Sequence, residues 1–255
     1  MPSLTRIVRE IVTALWRGLN DSRVTPKRRW LILGGFIASG LRLAAGMTVG
    51  RMGARPSKRL VLWDFESCAQ SRVVREALSA LDLDADVRPC PKNGKRFRPE
   101  LQGRSVPQLS DPNHERTLNG DRDIVTYLYA TYGRGSPPPL SMVAPLTWAT
   151  GLIARLFTGD MGALARNSRF PALPLELWSF EASPFCRMVR ARLCELELPY
   201  TLHNVAKGSP RRPEFIAVSG KMQMPWLHDA NTGTKLFESQ AIEDYLEATY
   251  AAPLS

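Results

Sequence analysis

The sequence predicts an α/β chain made of two similar units, each a small mixed sheet with helices on its faces. Two observations carry this expectation. First, Leu60–Leu78 (LVLWDFESCAQSRVVREAL) recurs 115 positions later as Leu175–Leu193 (LELWSFEASPFCRMVRARL). Trp63 and Trp178, Phe65 and Phe180, Glu66 and Glu181, Arg72 and Arg187, and Arg75 and Arg190 stay in register. Second, each copy changes period along its length. A short apolar run with a strand pattern gives way, across a tight loop, to the apolar spacing of a helix.

Composition bounds what such a chain can be. At 255 residues it can hold one large or two small domains, and the repeat favours two. It is 44% apolar and 23% charged, a globular composition that excludes disorder for most of its length. The formal charge of +10 is unevenly placed: residues 1–59 carry 12 Lys/Arg against 2 Asp/Glu, and residues 60–255 carry 22 of each. A neutral body with a basic apolar arm fits an anionic membrane surface better than nucleic acid. Four cysteines, Cys68, Cys90, Cys186 and Cys194, form no CxxC pair and are too few for a secreted disulfide framework. With three His, no structural zinc site is expected. The first 20 residues lack the continuous apolar core of a cleavable signal, so the expected location is cytoplasmic.

Residues 1–58 read as a basic helical extension. Leu4, Ile7, Val8, Ile11, Val12, Leu15, Trp16 and Leu19 form one helical stripe. A break at Val24-Thr25-Pro26 and a basic triplet, Lys27-Arg28-Arg29, precede an apolar run over 30–41. That run is shorter than the ~20 residues needed to cross a bilayer, and Arg42 would sit near the middle of any span. Attachment of residues 1–50 to the cytoplasmic face of a membrane, packing of this helix on the body, and a targeting peptide are the three readings. A similar stretch, 145–159, precedes the second unit, with Gly151-Leu152 and Arg155-Leu156 echoing Gly40-Leu41 and Arg42-Leu43.

The first unit spans 59–133: strand 60–64, helix 70–82, strand 85–89, a basic loop with Pro91 and Pro99, strands 107–110 and 115–118, and helix 121–132. A linker, 134–173, opens on Pro137-Pro138-Pro139 and holds one apolar helix near 142–157. The second unit spans 174–255: strand 175–179, helix 184–196, strand 200–205, helix 211–218, strands 225–228 and 234–237, and helix 239–250. The order βαβ, then a hairpin and a helix, makes a four-stranded mixed sheet in each unit.

Three places in each unit carry groups suited to chemistry. Cys68 and Ser183 stand at matching positions before the first helix. A thiol or hydroxyl there meets unpaired backbone N–H groups and the positive end of the helix dipole, which favour a thiolate. Ser183 followed by Pro184 is also a common helix start. Val106-Pro107 and Met224-Pro225 precede the third strand at matching distance from Asp111-Pro112-Asn113 and Asp229-Ala230-Asn231. Gly120-Asp121 and Glu238-Ser239 open the last helix, where capping is the bland role for Asp121 and Ser239. Cys90 and Cys194 read as small hydrophobes. Lys92 and Lys207 match after the second strand and read as solvated surface.

These motifs resemble those of glutaredoxins and glutathione-transferase N-terminal domains. The whole of 59–251 resembles the tandem glutathione-transferase N-terminal-domain proteins of bacteria and photosynthetic organisms. The resemblance implies two tandem thioredoxin-like domains behind an N-terminal helical extension, with glutathione as cofactor. Cys68-Ala69-Gln70-Ser71 keeps only the first cysteine of the family's Cys-Pro-aromatic-Cys, and Ser183-Pro184-Phe185-Cys186 keeps only the second. Cys68 is thereby implied as a monothiol nucleophile. Ser183 is implied to donate to a bound glutathione thiolate, with Phe185 and Cys186 in the same binding loop. A cis bond is implied before Pro107 and Pro225, leaving the backbone of Val106 and Met224 to pair with the cysteinyl part of glutathione. Ser239 is implied to hold the γ-glutamyl carboxylate, and Glu238 and Asp121 to face its amine. Only a few residues follow Tyr250, so the helical domain that normally builds the electrophile pocket is not expected. The implied function is a glutathione-dependent transferase or thiol–disulfide oxidoreductase acting on a thiol-containing or small electrophilic substrate. A non-catalytic glutathione-binding or membrane-surface scaffold is the alternative.

Overall fold

The computed structural model describes residues 13, 16 and 24–252. The stripe read over 4–19 lies outside the described residues, apart from Thr13 and Trp16. The first continuous helix, α1 (Pro26–Gly40), starts at Thr25, whose side chain accepts the Arg28 N–H, with Pro26 in the first turn. The basic triplet is therefore inside the helix rather than ahead of it.

The first unit runs β1 (Leu60–Asp64), α2 (Ala69–Ala80), β2 (Ala85–Pro89), a 3-10 turn (Arg98–Leu101), β3 (Gln108–Asp111), β4 (Arg116–Asn119) and α3 (Asp121–Tyr132). A short helix α4 (Pro139–Met142) and α5 (Ala144–Thr158) follow. The second unit runs β5 (Leu175–Ser179), α6 (Pro184–Glu195), β6 (Tyr200–Asn204), α7 (Arg212–Ser219), β7 (Trp226–Asp229), β8 (Thr234–Phe237) and α8 (Ser239–Tyr250). The basic loop of the first unit holds the 3-10 turn at the place of α7, where Leu101 reaches back to the sheet as Phe215 does.

Alternation along each strand builds two cores per unit. Leu60 and Leu62 pack with α2 and α3, while Val61 and Trp63 face the other way, onto Phe97 and Leu101. In the second unit Leu175 and Leu177 pack with α6 and α8, and Trp178 meets Phe215 and Trp226 on the opposite face. Each unit is thus a thioredoxin-like α/β layer.

Each unit supplies the four strands expected of it, and the two sets join edge to edge. There is one eight-stranded sheet, in the order β4-β3-β1-β2-β6-β5-β7-β8. β2 and β6 pair antiparallel, with Ala85 opposite Leu202, Asp86 opposite Thr201 and Val87 opposite Tyr200. Each would otherwise be an edge with a row of unpaired backbone groups, and joining them removes both edges. Val87 of the first unit accordingly sits in the core of the second.

The two apolar helices cross over as well. α1 precedes the first unit but lies on the start of α6, where a Cβ on Gly35 would stand 2.5 Å from the Pro184 Cβ. α5 precedes the second unit but lies on the start of α2, where a Cβ on Gly151 would stand 2.4 Å from the Ala69 Cβ. Close approach demands glycine at both points. Gly151 therefore matches Gly35 rather than Gly40, correcting the sequence echo. No helix among the described residues is long and apolar enough to cross a membrane.

Candidate functional site

Cys68 is the N-cap of α2, with φ −77° and ψ 120°, and its Sγ accepts the Ser71 N–H at 3.5 Å. The sulfur stands at the positive end of the helix, where an anion is stabilised. Cys90, Cys186 and Cys194 are buried, whereas Cys68 is partly exposed. Burial, reinforced by the nearby Asp64 carboxylate, pushes the Cys90 and Cys194 thiols far up. On one side Cys68 packs against Trp63, Phe97 and Val106. On the other it lines a cleft with Glu66, Arg72, Gly151, Arg155 and Arg187. That cleft holds about 30 Å³, room for one water-sized group, because α5 rests on the loop through Gly151.

Ser183 repeats the geometry. It is the N-cap of α6, with φ −79° and ψ 121°, and its Oγ accepts the Cys186 N–H at 3.3 Å. Ser183 is buried and Cys186 fully so, and Phe185 is half-buried. The cover is α1. Ser39 Oγ donates to the Ala182 carbonyl at 2.9 Å, Gly35 abuts Pro184, and the Phe36 ring meets Phe185 edge-on at 6.4 Å.

The bonds Val106–Pro107 and Met224–Pro225 are cis. Among the described residues the backbones of Val106 and Met224 make no hydrogen bond outside the sheet ladders. Val106 is buried and Met224 half-buried beside Trp226.

The motif that opens the last helix departs from expectation. Asp121 and Ser239 are the first helical residues rather than caps. The cap positions fall on Gly120 and Glu238, and neither makes a side-chain cap bond. The chain turns there with φ of 93° at Gly120 and 69° at Glu238, and the next residue is buried. Asp121 accepts the Gln70 Nε2 at 3.3 Å. Ser239 Oγ accepts Arg28 Nη2 at 2.6 Å, and Arg28 Nη1 donates to Glu243 Oε1 at 2.9 Å. Glu238 is exposed and accepts from Gln223. Lys92 and Lys207 use their backbones: their N–H groups donate to the carbonyls of Ala163 at 2.8 Å and Met47 at 2.9 Å.

Two features escaped the sequence. Arg28 stood in a triplet that read as a basic flank. The charges that mark the repeat read only as markers, yet Glu66, Arg72, Arg75, Glu181, Arg187 and Arg190 are all buried between α2 and α6. Arg75 Nε donates to Glu181 Oε2 at 3.1 Å, and Arg190 Nε to Glu66 Oε2 at 2.9 Å. Arg75 also holds Asp64, and Arg42 Nε donates to Glu76 at 2.7 Å. Burial opposes the charge on Glu181, but Arg190 and Arg75 outweigh it and hold the carboxyl down to about 2. Among the described residues Arg187 makes only long ion pairs, 3.5 Å to Glu66 and 3.8 Å to Glu181. Burial, with Arg72 beside it, pulls its guanidinium down to about 9. The available signal was spacing, since Arg72, Arg75, Glu76 and Ser79 fall three or four apart on a buried helix face. No group of His, Cys, Asp and Glu among the described residues is arranged to hold a metal ion.

The chain is similar to proteins of one known family. A family model described as glutathione S-transferase, N-terminal domain, matches residues 62–138 and again 177–254. The glutathione S-transferase-like protein gedE of Aspergillus terreus is 33% identical over 78 residues, covering 31% of this chain and 34% of that protein. The glutathione S-transferase-like protein tpcF of Aspergillus fumigatus is 34% identical over 58 residues, covering 23% of this chain and 26% of that protein. The match thus spans about a third or less of these curated relatives. No solved structure matches the chain.

Proposed function

Since the chain belongs to the glutathione S-transferase N-terminal-domain family through both of its units, we propose that it binds glutathione and carries out monothiol exchange at Cys68. The observation that carries this reading is the partly exposed Cys68 sulfur at a helix N-cap, while the other three cysteines are buried. The donors present suit a tripeptide anion. The Ser239 hydroxyl stands at the start of α8 beside the Arg28 guanidinium, and the Val106 and Met224 backbones have hydrogen-bonding capacity to spare.

In the proposed reaction the Cys68 thiolate attacks the glutathionyl sulfur of a mixed disulfide. A Cys68–glutathione disulfide forms, the substrate S–S bond breaks, and the substrate leaves as a thiolate that takes a proton from solvent. Attack by the thiolate of a second glutathione then restores the Cys68 thiolate and releases oxidised glutathione. Ser183, with Phe185 and Cys186 in its loop, supplies the serine-type counterpart in the second unit, and Asp121 and Glu238 face the amine. The α1–α5 pair covers both helix starts, which favours a small thiol substrate over a bulky electrophile. Cys68→Ser should lose glutathione-dependent reduction of a mixed-disulfide substrate, and Cys90→Ser should retain it. Full activity in Cys68→Ser would overturn the assignment.

A second reading, a non-catalytic scaffold at a membrane surface, has its own observation. Trp148, Leu152 and Leu156 recur every fourth residue on α5 and are 62%, 64% and 73% exposed, with Trp30 of α1 at 52%. An exposed apolar stripe in a chain whose N-terminal sequence is basic suits an anionic bilayer. On this reading the chain floats with anionic vesicles and Leu152→Ser/Leu156→Ser does not; a wild-type chain that stays in the aqueous fraction excludes it.

A further inference from the structure

We infer, on the monothiol reading of Cys68, that Arg187 of the second unit selects the substrate of that cysteine in the first. The thiol released from the mixed disulfide carries a carboxylate or another anionic group close to its sulfur, and Arg187 is the cation that meets it.

The charge follows from the repeat, in which Arg72 and Arg187 are counterparts. In α2, Glu76 stands one turn after Arg72 and accepts from its Nε at 3.1 Å. The counterpart of Glu76, by the 115-residue offset, is Ala191. A methyl group cannot hold a guanidinium, so Arg187 lacks the carboxylate that its twin has. Arg72 also donates from Nη2 to the Ala38 carbonyl at 3.0 Å. Arg187 is 7% exposed, and its shortest approaches to a carboxylate are the 3.5 Å to Glu66 and 3.8 Å to Glu181. Glu66 already accepts from Arg190 Nε and Nη2 at 2.9 and 3.1 Å. Five arginines, Arg42, Arg72, Arg75, Arg187 and Arg190, are buried with four carboxylates, Asp64, Glu66, Glu76 and Glu181. One positive charge is therefore left over, and Arg187 is the member of that set without a short contact. Burial, with Arg72 beside it, holds its guanidinium at about 9, which leaves it cationic at pH 7.

That guanidinium reaches the cysteine of the other unit. Arg187 and Cys68 line one cleft with Arg72 and Arg155, and the carboxylate there, Glu66, is held by Arg190. The nitrogens of Arg187 are not sealed in the interior as Arg72 Nη1 and Arg42 Nη2 are, so they open on the cleft. Open N–H groups with an uncompensated charge call for an anionic acceptor. The cleft holds about 30 Å³, so a ligand enters it with one oxygen-sized group. Because Cys68 and Arg187 share so small a space, the anion lies within a few bonds of the reacting sulfurs. Both carboxylates of glutathione are separated from its sulfur by an amide link. The anion therefore belongs to the other half of the mixed disulfide. Cys68 attacks the glutathionyl sulfur, the S–S bond breaks, and the thiol acid leaves as a thiolate that takes a proton from solvent. Its carboxylate stays ionised against Arg187 throughout.

The test substrates are the mixed disulfides of glutathione with mercaptoacetate and with mercaptoethanol, which present a carboxylate and an alcohol at the same distance from sulfur. Turnover by the full chain is followed as oxidised glutathione formed, after subtraction of the uncatalysed exchange. Wild type should favour the acid by roughly tenfold in kcat/KM, chiefly through KM. In Arg187→Met and in Arg187→Gln the ratio of the two should fall to about one, and Arg187→Lys should keep part of the preference. The ratio is taken within each protein, so a variant that folds less well does not alter it. Equal kcat/KM for the two disulfides in wild type, or a preference that survives loss of the charge at Arg187, would overturn the role of Arg187 and leave Cys68 as the nucleophile. No turnover of either disulfide by wild type, or full turnover in Cys68→Ser, would overturn the monothiol reading and the role of Arg187 with it.

Discussion

Arg28 reaches from α1 to Ser239, and the direction of that hydrogen bond matters. The hydroxyl oxygen accepts from the guanidinium, so its own hydrogen stays free to donate to a carboxylate. The guanidinium adds a positive charge at the same point. We therefore expect Arg28→Ala to weaken glutathione binding by roughly tenfold in calorimetric titration, the value of one charge-assisted contact. Tighter binding would show that Arg28 blocks the groove. At this scale the helix-start positions of Cys68 and Ser183 were legible, because the repeat aligned them and capping is local. The caps were not. Whether Ser239 caps α8 depends on the φ of the residue before it. A glycine hints at a left-handed turn at position 120, but Glu238 at 69° gives no such hint.

The β3–β4 hairpin and α3 are pinned by one carboxylate. Asp111 is fully buried and accepts from the hydroxyls of Tyr127 and Tyr132 and from Asn113. Asp229 repeats this with Tyr245, Tyr250 and Asn231. Burial works against each charge, but the tyrosine and asparagine donors outweigh it and hold both carboxyls below the usual range. A carboxyl depressed on folding contributes stability above its unfolded pKa of about 4 and loses it as pH falls through the folded value. Tyr132→Phe/Tyr250→Phe should cost about 1–3 kcal/mol per site at pH 7 and flatten the loss of stability between about pH 4 and 2. Urea unfolding across that range measures it, and parallel curves for the two proteins would contradict it. The Asp-x-Asn spacing was visible in the sequence as a matched distance. Its tyrosine partners, on a helix beyond the hairpin, were beyond what spacing can show.

Across the whole molecule the two units share one sheet, exchange their cover helices and bury a set of opposite charges between α2 and α6. Element order and the thioredoxin-like layer of each unit were legible, because period and turn residues are local signals. The joining of β2 to β6 was not, because any edge strand offers the same backbone groups and the partner is chosen by distant packing. Nor was the helix crossover, which rests on glycines that look alike at positions 35 and 40. Removing one partner from the buried charges leaves the others unpaired. Arg75→Met should therefore cost about 3–5 kcal/mol in chemical unfolding. A cost under about 1 kcal/mol would mean that the charges are solvated and the units separable.

The proposed chemistry depends above all on Cys68 being the sulfur that meets glutathione. The direct measurement is to incubate the folded chain with oxidised glutathione and map the adduct by peptide mass spectrometry. Glutathione on Cys68, with Cys90, Cys186 and Cys194 unmodified, is the predicted result. An unmodified Cys68, or an adduct at one of the buried cysteines in its place, would contradict it.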